Sequence, residues 1–276
     1  MAVFSNKQGW SRGVLLSSTV LFILFAQTLL AQRNLSGKSG LIYIPDAKPA
    51  EAGDLHVGYV FNPKNYGLRA NGVWSEQVLY ADLALFKRFS LTFFLLQGRR
   101  DGKRVRSQGL GDRQLDFRWQ ILMEKEKQPA LALILSSPFT IDAACQTQAL
   151  VATKTFTLKD KSWGLETSLG LGSPYYLYRK VEDEDSMYLN LRNNNIFSNM
   201  SFQKKRDDAF GNNYLVGPFG GVKLKYKTWL QLMAEWDGQK VNTGVGLNLF
   251  HQLQLQASCL NFDALGFGLA FKQNLN

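Results

Sequence analysis

From Leu230 to Phe271 the chain alternates apolar residues with polar or small ones. Leu230, Leu232, Ala234 and Trp236 share one parity, with Gln231, Met233 and Glu235 between them. Val241 to Leu249, Leu253 to Cys259 and Leu265 to Phe271 repeat the pattern. Side chains alternate across a strand, so each run has one apolar and one polar or small face. The breaks at 237–240, 250–251 and 261–263 are short enough for hairpins, which predicts an antiparallel meander.

The same period runs back through the chain. It predicts strands at Leu55 to Phe61, Leu79 to Leu85, Phe89 to Gln97, Leu115 to Ile121, Trp163 to Leu171 and Gly220 to Tyr226. Ala130 to Ser136 reads as a strand that is apolar on both faces. Ala149, Val151, Thr153 and Thr155 form another, with Lys154 on the opposite face. With the last four runs the total is twelve. The polar stretch from Ser173 to Gly217 has room for its own hairpin, near Met187 to Leu191 and Phe197 to Phe202.

Connection lengths sort by parity. The even-to-odd turns at 87–88, 123–128, 158–161, 227–228 and 250–251 are all short. Most odd-to-even loops, at 62–77, 98–113, 138–147 and 173–217, are longer. Outer-membrane barrels have an even strand number, short periplasmic turns and longer external loops, whereas a soluble sandwich has no reason to sort its loops this way. The expected fold is therefore all-β: an antiparallel up-and-down transmembrane β-barrel of about 12 strands. Trp163, Tyr226, Trp229, Trp236 and Phe271 near strand ends suit an aromatic girdle. A soluble periplasmic barrel or sandwich is the alternative.

The N-terminus adds a compartment. Lys7 and Arg12 precede an apolar run from Val14 to Leu30 that ends at Ala31-Gln32. That order predicts a signal peptide over residues 1–31, cleaved after Ala31, with an uncleaved anchor as the other reading. An N-terminal extended segment, 32–53, would follow, then the barrel, 54–276. The expected location is the outer membrane of a Gram-negative bacterium. Expected partners are outer-membrane lipid, the barrel-assembly machinery, and polysaccharide or lipopolysaccharide.

Among 276 residues the chain has 45% hydrophobic and 13% aromatic residues, which excludes disorder, and its net charge is +10. That charge does not indicate nucleic acid, because basic-aromatic interleaving is missing and the chain is read as exported. The two cysteines, Cys145 and Cys259, make neither a disulfide framework nor a metal motif, so no cofactor is expected. The two histidines, His56 and His251, supply no nucleophile–base arrangement, and no enzyme activity is expected.

The face predicted to line the lumen carries His56, Asp82, Asp116, Arg118, Lys154, Glu166, Lys223, Lys225 and Glu235. Amides at Asn242, Asn248, Gln252, Gln254 and Gln256 join them. Such a mixed interior pairs across the lumen or lines a hydrated path. The loop after Gly98 holds Arg99, Arg100, Lys103, Arg104 and Arg106, a basic external loop able to meet anionic glycolipid or polysaccharide.

Gly40-Leu41-Ile42-Tyr43-Ile44-Pro45-Asp46-Ala47, followed by Gly53-Asp54-Leu55 and Gly58, resembles the opening of the YjbH-type family. Asp112-Arg113 before the Asp116 strand, and the Lys154 strand before Gly164 to Gly172, are also similar. The resemblance implies a single-barrel version of outer-membrane proteins linked to exopolysaccharide production, with no catalytic residues to transfer. On this basis the expected function is non-enzymatic export or surface handling of exopolysaccharide. A small-solute porin or structural barrel is one alternative. An outer-membrane hydrolase dependent on His56 is another.

Overall fold

A computed structural model describes residues 32–48, 50–68, 74–100, 103–104, 111–138, 145–179, 200–205 and 215–276. Its strands, in order, are β1 (Asp54–Asn62), β2 (Ser75–Phe86), β3 (Phe89–Arg100), β4 (Lys103–Arg104), β5 (Asp112–Leu122), β6 (Ala130–Ser136), β7 (Gln148–Thr157) and β8 (Trp163–Gly172). Then come β9 (Tyr175–Arg179), β10 (Met200–Lys204), β11 (Gly217–Tyr226), β12 (Leu230–Trp236), β13 (Val241–Leu249), β14 (Leu253–Leu260) and β15 (Ala264–Asn274). Twelve of them form one closed antiparallel barrel in which each strand pairs with its neighbours in sequence. β15 closes the ring on β1, with Asp54 opposite Asn274 and Phe61 opposite Phe267. The short β4 extends the β3 hairpin, and β9 pairs with β10 outside the wall. No helix among the described residues is long and apolar enough to cross a membrane.

The connections divide between two rims. The β2–β3, β5–β6, β7–β8, β11–β12 and β13–β14 turns share one rim with the start of β1 and the end of β15. The longer loops, with the tight β12–β13 and β14–β15 turns, occupy the other. Phe250-His251 and Asn261-Phe262 each place two consecutive non-glycine residues at positive φ. The Gln252 N–H donates to Leu249 O and the Asp263 N–H to Leu260 O, which closes both as type I′ hairpin turns.

The barrel is inverted relative to a soluble domain: apolar side chains point outward. Leu79, Phe93, Trp119, Leu150, Leu169, Val245, Leu265 and Phe267 are all exposed, with Leu169 and Leu171 at 63%. Trp163, Tyr226 and Trp229 cluster at the short-turn rim, with centroids 4.7 Å apart for the first pair and 6.0 Å for the second, the latter edge-on. The inner face carries buried charges and amides together with apolar residues such as Val78, Phe94, Leu96 and Ile134. An apolar interior patch needs protein against it, and the chain supplies that protein.

Residues 32–48 fold inside the barrel as a plug. Leu35, Leu41, Ile42 and Ile44 are completely buried, and Gln32, Arg33, Lys38 and Asp46 nearly so. The Oδ1 of Asn34 accepts hydrogen bonds from the Ser36 and Lys38 N–H groups, which turns the chain near Gly37. Bridges between Arg33 and Ser39, and between Gly40 and Pro45, hold the two limbs together. Ile42 to Ile44 reach Glu235 near the loop rim, while Lys48 meets Glu124 in the β5–β6 turn. Arg33 N lies against Gln254 near the start of β14, so both ends of the plug are on the short-turn side.

Two expectations change. On β7 the inward residues are Ala149, Val151 and Thr153, and Lys154 faces outward with Leu150, Ala152 and Phe156. The expected phase put the apolar residues of each strand on the outer face and Lys154 in the lumen, so Val151 was placed outside. The interior there is packed protein, and Thr153 is needed inside to accept the Ala47 N–H at 2.9 Å. The first arm of the hairpin in the long loop is Tyr175–Arg179, paired with Met200–Lys204. Met187 to Leu191 lies outside the described residues.

Candidate functional site

The site with the densest chemistry is the boundary between plug and wall. Period-two alternation sends alternate side chains inward, and the charged ones among them meet plug residues or neighbouring wall residues. On β2, Asp82 pairs with Arg33 at 2.8 Å and accepts the Thr92 hydroxyl at 2.6 Å. On β5, Asp116 pairs with Lys38 at 2.6 Å and accepts from Gln114 and Ser136. Arg118, two residues on, donates to Asp46 O at 3.3 Å and to Lys48 O. His56 is buried on β1, in register with Asp82 on one side and Lys272 on the other. Lys272 in turn pairs with Asp54 at 2.9 Å.

A second group joins β8 to β11. Lys223 and Glu166 face each other directly across the two strands and pair at 3.0 Å. Lys225 reaches Glu166 at 2.7 Å, Lys48 of the plug reaches it at 3.5 Å, and Lys223 also reaches Asp46 at 3.5 Å. Lys48 continues the chain of charges to Glu124 at 3.2 Å. Partial burial works to raise the Glu124 pKa, but the Thr155 N–H and the Lys48 ammonium outweigh it and hold the carboxyl below its ordinary range.

Glu235 on β12 bonds only polar groups, three of them on the plug backbone. Its two oxygens accept the N–H groups of Ile42 at 2.9 Å, Tyr43 at 2.7 Å and Ile44 at 3.2 Å. The Asn242 amide adds a fourth hydrogen bond at 3.2 Å. Consecutive N–H groups converging on one anion form a nest, here filled by the protein's own carboxylate. Tyr43 fixes the same turn from its other end by donating its hydroxyl to Tyr66 O at 2.7 Å.

Close contact also needs space. A Cβ on Gly221 would lie 2.8 Å from Leu41 Cδ2, and one on Gly244 would lie 3.1 Å from Ile42 Cδ1. Amides seal the remaining gaps: Gln32 donates to Gln256 at 2.7 Å, and Gln256 donates to Leu41 O at 3.3 Å. Each buried plug aliphatic contributes roughly 2 kcal/mol of transfer free energy, so four of them with the ion pairs make the plug part of the core.

The predicted lumen residues His56, Asp82, Asp116, Arg118, Glu166, Lys223, Lys225 and Glu235 all face inward, and most of them converge on the plug. Lys154 is outside, and Gln252 lies in the exposed β13–β14 turn. Of the basic loop, Arg99 donates to Gln77 at 2.8 Å, and Lys103 and Arg104 pair back on Arg100 and Arg99. Arg106 lies outside the described residues. The residues missed in the sequence were the plug's own: Arg33, Lys38, Asp46 and Lys48. Their signal was the small inner face of β13 and β15, with Gly244, Gly246, Gly266 and Gly268, which a water-filled lumen does not require. Among the described residues, no group of three His, Cys, Asp or Glu side chains is placed to hold a metal ion.

One family model, described as exopolysaccharide biosynthesis protein YbjH, matches residues 32–276. No curated protein matches the chain.

Proposed function

Because the chain belongs to the YjbH family of exopolysaccharide biosynthesis proteins, we propose that it is a non-enzymatic outer-membrane barrel that handles exopolysaccharide at the cell surface. The observation that carries this reading is the inverted polarity of the wall. A belt of exposed Leu, Val, Phe and Trp side chains surrounds an interior of buried charges, amides and packed apolar residues. In water so large an apolar surface drives association, whereas in a bilayer it is the matching surface. A closed ring also leaves no unpaired strand edge in the lipid. The family match begins at Gln32, where the signal peptide over residues 1–31 is read to end. The short turns then face the periplasm and the longer loops face outward.

The plug favours polymer handling over the porin reading. A diffusion channel needs a continuous aqueous path, and here the lumen holds buried aliphatic residues and ion pairs. Polysaccharide is then met by the external loops and the loop rim, with the filled barrel as a rigid anchor.

Deletion of the gene in its native host, with complementation, tests the polymer role. Surface polysaccharide should fall on deletion and return with the intact chain. Fractionation with heat-modifiable gel migration tests the location. Recovery in the soluble periplasm with no mobility change on heating would defeat the membrane reading, and unchanged polysaccharide would defeat the polymer role. In planar bilayers the intact protein should give no steady unitary current.

A further inference from the structure

The apolar outer belt is interrupted at Lys154. Its neighbours on the same face of β7 are Ala152 and Phe156. The Lys154 stem follows the wall and its ammonium turns toward the β5–β6 turn. There it donates to Lys125 O and to Glu126 O at 2.8 Å, and it lies 3.5 Å from Glu124. A long side chain with its charge drawn to the edge of an apolar surface is snorkelling.

Beside it the small Ala152 leaves a groove of about 640 Å³, lined by Phe156 and Leu169 and by three charged residues, Glu126, Lys127 and Lys154 itself. That size falls within the roughly 300–1,000 Å³ of ligand-holding clefts. The floor is apolar. Apart from Lys154, whose ammonium is engaged with the turn, the rim presents one full charge of each sign on consecutive exposed residues.

We propose that this groove holds one zwitterionic phospholipid, with an acyl chain on the floor, its phosphate at Lys127 and its primary ammonium at Glu126. The site rests on the membrane orientation proposed above, which puts it in the leaflet on the short-turn side. Charge complementarity selects the headgroup. A phosphatidylglycerol-like lipid would satisfy Lys127 but leave Glu126 facing a neutral alcohol. Lys154 is not a spare cation for a second negative charge, because its ammonium already donates to Lys125 O and Glu126 O and is paired with Glu124 at 3.5 Å.

The test is native mass spectrometry of the delipidated full-length protein in detergent. Phosphatidylethanolamine and phosphatidylglycerol of identical acyl chains are titrated in turn. The wild type should take up one phosphatidylethanolamine with an apparent affinity about fivefold above that for phosphatidylglycerol, as expected of one partly exposed ion pair. Ala152→Trp, which fills the groove, should weaken uptake about tenfold by displacing chain methylenes. Glu126→Gln should bring the two lipids to equal affinity. Equal affinities in the wild type, or wild-type behaviour of both variants, would overturn the site. Heat-modifiable migration of the same preparations separates the two proposals. A folded, membrane-recovered protein without lipid discrimination removes only this site, whereas a soluble protein removes the membrane reading and the site with it.

Discussion

Replacing Glu235 with alanine should loosen the apex of the plug while leaving the backbone hydrogen bonds of the wall intact. The carboxylate now accepts three consecutive backbone N–H groups, from Ile42, Tyr43 and Ile44, plus the Asn242 amide. Hydrogen bonds to a charged group contribute about 1.5–3 kcal/mol each, and a buried donor left unmade costs about 1–3 kcal/mol. Simple addition overshoots, because the four bonds share one acceptor group and the variant no longer buries a carboxylate. A net loss of about 3 kcal/mol is the expected result. Glu235→Gln keeps one acceptor oxygen but turns an NH2 toward a donor, so its loss should be smaller, about 1–2 kcal/mol. The assay is equilibrium urea unfolding of the protein folded into lipid vesicles, read by heat-modifiable migration and tryptophan fluorescence. Proteolysis near Gly40 should accelerate in step. If alanine and glutamine variants both unfold at the wild-type midpoint, Glu235 does not anchor the plug and the nest is incidental.

Arg33→Ala should destabilise by about 3–5 kcal/mol, because it strands Asp82 as a buried unpaired charge. The Arg33→Ala/Asp82→Ala double variant should lose less than the two single variants together, measured by the same unfolding cycle. Gly221→Leu places a side chain where a Cβ already falls 2.8 Å from Leu41, and overpacking of this kind should cost about 1–3 kcal/mol. Glu124→Gln should cost about 1 kcal/mol at neutral pH, allowing for the partial exposure of the pair. Since the folded state holds that carboxyl below its ordinary range, its contribution is present above the unfolded pKa and lost as pH falls through the folded one. The wild type and the variant should therefore converge in acid, in unfolding midpoints taken across pH.

Period-two alternation made the wall legible because the outer surface enforces it at every position. Leu230 to Trp236 and Leu253 to Cys259 have the faces that their apolar residues require, and the ring has the expected twelve strands. Alternation fails where the inside is itself apolar. Val151 is an outward residue by hydropathy and an inward one in the structure, because Ile134, Ala132 and Ala149 surround it with protein. The closing strand shows the opposite outcome. It runs past Phe271 to Asn274, since Lys272 turns inward to Asp54 and so belongs in the strand despite its charge. The plug left a fainter trace. Its segment has no long periodic run, and its order comes from contacts with residues as distant as Gln254 and Gln256. The glycines of β13 and β15 were visible, but the absence of a side chain does not say what fills the space.

The position of the plug also bears on strand register. A slip of two residues between neighbouring strands keeps every apolar side chain on the outer face, so the hydropathy pattern does not oppose it. The segment 32–48 does oppose it. It meets Asp82 on β2, Asp116 and Arg118 on β5, Thr153 on β7, Glu166 on β8, Lys223 on β11, Glu235 on β12 and Gln254 and Gln256 on β14. Sliding any one of those strands by a single pleat would carry its partner about 7 Å along the strand and leave a buried charge or donor without its partner. Seventeen residues thus act as a gauge held against seven staves of the ring, accepting one alignment among those the outer surface tolerates.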